Sequence, residues 1–218
     1  MKQEFWQERW QRGEIGFHQP QINRYLTQYW PQLSLTGVER VFVPLCGKSL
    51  DMLWLRQQGH EVVGIELSEQ AVEAFWQENA LECCRQPSGS FIDFQGDGIQ
   101  LLVGDYFHLT PEALTGVAVV FDRAALIALP EEMRPDYVEQ MARLLPSGTQ
   151  MLLVTMEYPQ QEMNGPPFSV SATEVHQLYT PYFEVQALAS FATLDDNARF
   201  RQRGLTRLDE RVWKLLRL

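Results

Sequence analysis

Short apolar runs rich in β-branched residues alternate along this chain with stretches whose apolar positions recur at i, i+3 and i+4. Residues 38–45 predict a buried strand bounded by Gly37 and Gly47. Ser49 is placed to cap a helix in which Leu50, Leu53 and Trp54 share a face, with Gly59 as its stop. A strand over 61–67 follows. Ser68 then caps a helix that carries Val72, Phe75, Trp76 and Asn79 in register. Residues 82–98 hold Pro87 and three glycines and read as irregular or as a short hairpin. Residues 99–103 form a strand ending in Gly104-Asp105, and Val117-Ala-Val-Val-Phe121 is the clearest buried strand, running straight into Asp122-Arg123. Pro130-Glu131-Glu132 opens a helix bearing Val138, Met141, Leu144 and Leu145, stopped at Pro146-Ser-Gly148. Strands are predicted over 150–155, 183–189 and 205–216. A short helix at 173–178 lies beyond a stiff Asn164-Gly-Pro-Pro-Phe168 loop.

Strands alternating with helices over short connections imply a doubly wound, mostly parallel sheet covered on both faces. The last two strands have a short link with no helix between them and should pair antiparallel. No repeat, linker or low-complexity tract interrupts the pattern, and 45% apolar residues over 218 positions suit one α/β domain over 1–218.

Composition narrows the function classes. The N-terminus MKQEFWQERWQ has no apolar core of a secretory signal, and the longest apolar run, residues 124–129, is far below the roughly 18 residues that cross a bilayer. Cys46, Cys83 and Cys84 offer no C-x-x-C spacing, so neither zinc nor a redox pair is indicated and a reducing cytoplasm is expected. The formal charge of -10 argues against nonspecific binding to nucleic acid or anionic membrane. The acidity is uneven: residues 199–218 hold seven Arg/Lys against two Asp/Glu, or +5. That tail reads as a solvated strand face or as an anion-attracting rim.

In a doubly wound sheet, ligands sit beyond the carboxyl ends of the strands where the strand order reverses, here at Pro44 to Ser49. The Gly47-Lys48-Ser49 tail suits a phosphate loop, but the first glycine of that motif falls on Phe42. Of a dinucleotide fingerprint only Gly47 is present. What survives is Glu66, 66 − 47 = 19 positions after Gly47 and ending the second strand, the place of a ribose-hydroxyl acceptor. Asp105 and Asp122-Arg123 end the next two strands around the same cleft. A ligand with a ribose and a base but no pyrophosphate needs fewer glycines than NAD does. S-Adenosylmethionine is one.

Trp6-Gln-Glu-Arg-Trp10, Gly16-Phe-His-Gln19, Val43-Pro-Leu-Cys-Gly-Lys48, Val63-Gly-Ile-Glu66, Asp122-Arg-Ala-Ala-Leu126 and Gly165-Pro-Pro-Phe168 together resemble the bacterial branch of the thiopurine S-methyltransferase family. The resemblance runs nearly end to end. It implies a class I methyltransferase fold with seven strands and an antiparallel last strand, and an N-terminal helical arm over 1–36 that closes the active site. It also implies S-adenosylmethionine as cofactor. Trp10, Leu45, Gly47, Glu66 and Arg123 match cofactor contacts, with Asp105 or Ile99 bordering the adenine. Trp10 reads equally as a core tryptophan stapling the N-terminal helix. Phe17, Pro166, Pro167 and Phe168 match an apolar lid over a flat heteroaromatic acceptor, and Arg123 and Arg199 match groups that polarise the ring or stabilise its thiolate.

An aromatic thiol ionises readily, so methyl transfer needs positioning more than acid–base machinery. His18 beside Phe17 therefore reads as structural, and Cys46 as a small thiol in a tight turn. The resemblance implies thiopurine acceptors and associates bacterial relatives with selenium and tellurium compounds, hence with detoxification. A monomer is expected. Two rivals stand beside this reading: a nicotinamide-dependent oxidoreductase, which lacks its glycines here, and a non-enzymatic binder of thiols or metalloids resting on Cys83-Cys84. Nucleic-acid methylation lacks the N-P-P-[YFW] loop.

Overall fold

The computed structural model describes residues 3–218; the first two residues of the arm expected over 1–36 lie outside them. Two compact units emerge along the chain, Met1–Phe121 and Asp122–Leu218. In the first, the arm forms α1 (Gln3–Gln11) and α2 (Arg24–Tyr29). Asn23 caps α2 by accepting from the Tyr25 and Leu26 N–H groups. The first strand, β1 (Arg40–Val43), is shorter than the 38–45 run. Val38 is 77% exposed, the Thr36 and Gly37 N–H groups turn back onto the Glu39 carboxylate, and Pro44 has no N–H to extend the ladder.

After β1 come α3 (Asp51–Gln57), β2 (Glu61–Glu66) and α4 (Glu69–Glu78). Ser49 does not cap α3: Leu50 stands at the cap position without a side-chain bond. The Ser49 hydroxyl instead donates to Asp51 Oδ2 at 3.0 Å and accepts from the Asp51 N–H at 3.2 Å. Ser68 caps α4 as its sequence predicts, accepting from Ala71 N–H at 3.3 Å. Residues 82–98 resolve into the hairpin β3 (Cys84–Ser88) and β4 (Phe91–Gly96), followed by β5 (Ile99–Val103) and β6 (Val117–Arg123). The strand order is β3-β4-β5-β2-β1-β6, with β5, β2, β1 and β6 parallel and the hairpin antiparallel on one edge. Order therefore reverses at β1, whose neighbours are β2 and β6. Val41, Phe42, Val62, Val63, Val119 and Val120 are all at or below 1% exposed, as strands covered on both faces require. Gly64 of β2 is obligatory: a Cβ there meets Cys46 Sγ at 2.7 Å and Leu101 Cδ2 at 2.8 Å.

The second unit holds α5 (Arg134–Leu144), β7 (Gln150–Glu157), α6 (Ala172–Tyr179), β8 (Phe183–Ala192), α7 (Ala198–Gln202) and β9 (Asp209–Arg217). Strand β9 lies between β7 and β8 and is antiparallel to both, the antiparallel finish predicted. The link between β8 and β9 is not free of helix, however: α7 occupies it, and Leu205, Leu208, Met156 and Tyr158 form a core beneath with Phe200 packed against it. Among the described residues there are nine strands, the seven expected plus the β3–β4 hairpin. Part of the basic tail is neutralised in place. Glu157 takes Arg207 at 2.8 Å and Arg211 at 3.1 Å, and Arg207 also reaches Asp209.

Asp122 is fully buried, accepting from the Tyr137 hydroxyl at 2.7 Å and the Leu126 N–H at 3.4 Å. Burial outweighs these bonds and raises its pKa from 3.8 to about 6. The folded chain thus holds this proton more tightly than the unfolded one. The contribution to stability is complete below 3.8 and is lost as pH rises to about 6, a change of about 3 kcal/mol. Urea denaturation from pH 4 to 7 is expected to show wild type losing this increment relative to Asp122→Asn; parallel profiles would contradict the assignment.

Candidate active site

The carboxyl end of β2 delivers Glu66 into the turn after β1. Its side chain is buried at 7% exposure, and its two oxygens are already engaged by backbone. Oε2 accepts from Gly47 N–H at 2.8 Å and Oε1 from Ser68 N–H at 2.9 Å. Burial raises the Glu66 pKa, and the N–H groups of Ser68, Gly47 and Leu67 oppose that rise. A carboxylate offers about four lone-pair directions, so the bonds from the backbone leave capacity to accept from a ligand hydroxyl.

The turn that meets Glu66 is built from positive φ. Leu45 stands at φ 45° and Gly47 at 53°, and Cys46 N–H ties the turn to β2 through Ile65 O at 2.9 Å. A side chain is tolerated at Leu45 at a strain cost. At Gly47 a Cβ would add to that strain a tight 3.2 Å approach to the Trp10 ring. Trp10 of α1 thus packs directly on the loop, and Phe17 packs edge-on against Trp10 with ring centroids 5.4 Å apart and against Trp6 at 5.7 Å. Trp10, 6% exposed, staples the arm to the loop, as one of its two readings had it. Beyond β5, Gly104 N–H donates to Glu66 O at 2.9 Å, which sets Asp105 next to the Glu66 strand end. Asp105 Oδ1 accepts from Phe107 N–H at 2.9 Å.

Trp10, Phe17, Leu45, Gly47, Glu66 and Asp105 are therefore gathered around one strand-end loop of the first unit. Sequence reasoning passed over Lys48, which closes on Glu78 of α4 at 2.6 and 2.8 Å and pins the loop from its other side. It passed over Asp51 as well. That buried carboxylate accepts the Asn23 N–H at 2.7 Å and so joins the cap of α2 to the same loop. The signal for both was an acid or base within four residues of Gly47, but Lys48 was weighed only as part of a phosphate-loop tail and Asp51 belongs to no familiar nucleotide motif. Cys46 is inert: burial, then the Glu66 charge, pushes its thiol well above 9.0.

In the second unit Arg123 ends β6, half-buried. Pro166, Pro167 and Phe168 lie partly buried in the loop between β7 and α6, with the peptide bonds into both prolines cis. Arg199 sits exposed in α7, its guanidinium held below its ordinary value by partial desolvation and by Arg203.

Residues 1–218 match the family described as thiopurine S-methyltransferase (TPMT). A protein of that name from Nitrosospira multiformis is 49% identical over 216 residues, 99% of this chain and 98% of its own. Among solved structures, an S-adenosylmethionine-dependent methyltransferase from Anabaena variabilis superposes with a TM-score of 0.68 at 14% identity over 99% of this chain and 95% of its own. A Burkholderia thailandensis 1,6-didemethyltoxoflavin-N1-methyltransferase, solved with its substrate and S-adenosylhomocysteine, gives 0.63 at 14% identity over 99% and 86%. The distant structures share an α/β fold with a mostly parallel central sheet, the class I methyltransferase fold. The full-length match made by an acidic strand end facing a single-glycine loop settles the rest: the chain belongs to the thiopurine S-methyltransferase family, and it is an enzyme that uses S-adenosylmethionine.

Proposed function

We propose that residues 1–218 act as one methyltransferase domain that methylates aromatic and heterocyclic thiols, thiopurines among them, by in-line transfer to the thiolate. The observation that carries this reading is Glu66, a buried acceptor at the sheet's switch point that keeps capacity to accept from a hydroxyl, beside a tight loop in which Gly47 packs against Trp10. Those residues fit a ribose-bearing cofactor without a pyrophosphate. Glu66 holds the ribose hydroxyls, the backbone at Leu45 and Gly47 lies along the methionine portion, and Asp105 borders the adenine. When bound, S-adenosylmethionine supplies a methyl group activated by positive charge on sulfur. The Trp10 ring face stabilises a nearby cation by about 0.5–2 kcal/mol.

On the acceptor side, the family resemblance assigns lid contacts on the flat ring to Phe17 of the first unit and to Pro166–Phe168 of the second, and assigns to Arg123 and Arg199 the polarisation of its nitrogens or the stabilisation of its thiolate. The chain needs no general base, because the acceptor arrives ionised, and His18 keeps a structural role. Cys46 stays protonated and does not attack. The enzyme works as a cytoplasmic monomer on small molecules, with selenium and tellurium compounds as further acceptors in a detoxifying role.

The direct test is transfer of labelled methyl from S-adenosylmethionine to a panel of aromatic thiols, alkyl thiols, selenite and tellurite. Aromatic thiols are expected to turn over fastest. Absence of transfer to every aromatic thiol, together with a melting temperature raised by NAD and not by S-adenosylmethionine, would overturn the reading. Glu66→Gln is expected to raise the cofactor dissociation constant at least about tenfold, about 1.4 kcal/mol, in calorimetry. An unchanged constant removes Glu66 from the ribose.

A further inference from the structure

The segment Gly165–Phe168 is held in the second unit by a set of bonds that no sequence motif announces. Proline supplies no N–H, so Pro166 and Pro167 can be fixed only through their carbonyls and their neighbours. Tyr158, at the end of β7, does both. Its hydroxyl donates to Pro167 O at 2.7 Å. Its own backbone N–H donates to Ser169 Oγ at 2.9 Å, and its carbonyl accepts from that hydroxyl at 2.7 Å. Gln160 completes the stitch, accepting from Ser169 N–H at 2.9 Å and donating to Met163 O at 2.6 Å.

Phe168 is fixed from three further directions. Its N–H donates to Ile127 O at 2.7 Å. Gly165 lies against its ring so closely that a Cβ would fall 2.5 Å from Phe168 Cδ1. The Arg134 guanidinium sits 6.0 Å from the ring centroid, itself anchored on Glu174 at 2.5 Å and Leu129 O at 3.0 Å. Burial raises the Tyr158 phenol above its ordinary value of 10, and Tyr158 is 3% exposed, so this hydroxyl stays a donor throughout the working pH range.

We infer that Tyr158 is a positioning residue for acceptor recognition: its hydroxyl fixes the Pro167 carbonyl and with it the plane of Phe168, so that the enzyme selects flat acceptors over small ones. A plate that is already ordered loses little entropy when a flat ring stacks on it, whereas a small, non-planar thiol gains nothing from that order. The inference rests on the acceptor role proposed for Pro166–Phe168.

Tyr158→Phe removes the hydroxyl and keeps the ring, and Phe168→Leu removes the plate. Both are compared with wild type for steady-state constants with mercaptopurine and with trifluoroethanethiol, a small non-planar thiol of comparable acidity, and for S-adenosylmethionine affinity by calorimetry. Tyr158→Phe is expected to raise KM for mercaptopurine about fivefold, the scale of one neutral hydrogen bond. It should leave kcat, the small thiol and cofactor affinity near wild type. An unchanged mercaptopurine KM in Tyr158→Phe, with a raised one in Phe168→Leu, overturns the role of Tyr158 and leaves the plate standing. If neither variant changes it, the acceptor role of the segment falls and the inference with it. Equal losses for both thiols and for the cofactor in Tyr158→Phe would mark a general structural effect and overturn selection by the plate.

Discussion

A carboxylate withdrawn from water at the end of β2 is the constraint on which the cofactor side of this enzyme rests. Desolvation alone would leave Glu66 protonated or would exclude it from the interior. The backbone answers that cost locally, with N–H groups from Gly47, Ser68 and Leu67 converging on it. Two of those come from different segments, the turn after β1 and the N-terminus of α4, so one side chain locks a loop to a helix start. The helix terminus contributes favourable partial charge as well. Glycine at 47 suits both its positive φ and the close approach of the Trp10 ring, 3.2 Å from where a Cβ would stand. Arm, loop and strand end are thereby made interdependent.

The acceptor side uses a different economy. Neutral hydrogen bonds to carbonyls organise Gly165–Phe168, together with one buried cation, Arg134, near an aromatic face. The buried Arg134–Glu174 pair gives that cation a fixed seat at the junction of α5 and α6. In α7, Arg199 has its proton affinity lowered by desolvation and by the neighbouring Arg203.

Much of this was legible in the chain. Buried strands read as uninterrupted β-branched runs, and Glu66 was located by its distance from Gly47. What failed did so for local reasons. Ser49 has the side chain of a cap, but its hydroxyl is taken by Asp51 and the helix starts later. Helix α7 has five residues, no side-chain cap and two arginines in its last turn, too little for any periodicity to register. The β3–β4 hairpin was one of two readings of its segment, left undecided because its first strand is exposed along its whole length and carries Pro87. Tyr158 escaped notice because its partner is a backbone carbonyl, which leaves no paired side chain to find. The grip of Glu66 on Gly47 escaped for the same reason: spacing can suggest a ligand acceptor, but not that the same oxygens also hold the loop.

The central claim is that Glu66 serves the loop and the sugar at once, and a crystal structure of the chain with S-adenosylhomocysteine tests it most directly. The account predicts ribose hydroxyls within hydrogen-bond distance of the Glu66 oxygens while the Gly47 and Ser68 N–H groups remain on that carboxylate. A nucleoside bound with its ribose out of reach of Glu66, or a carboxylate that must release the loop to take the sugar, would contradict it.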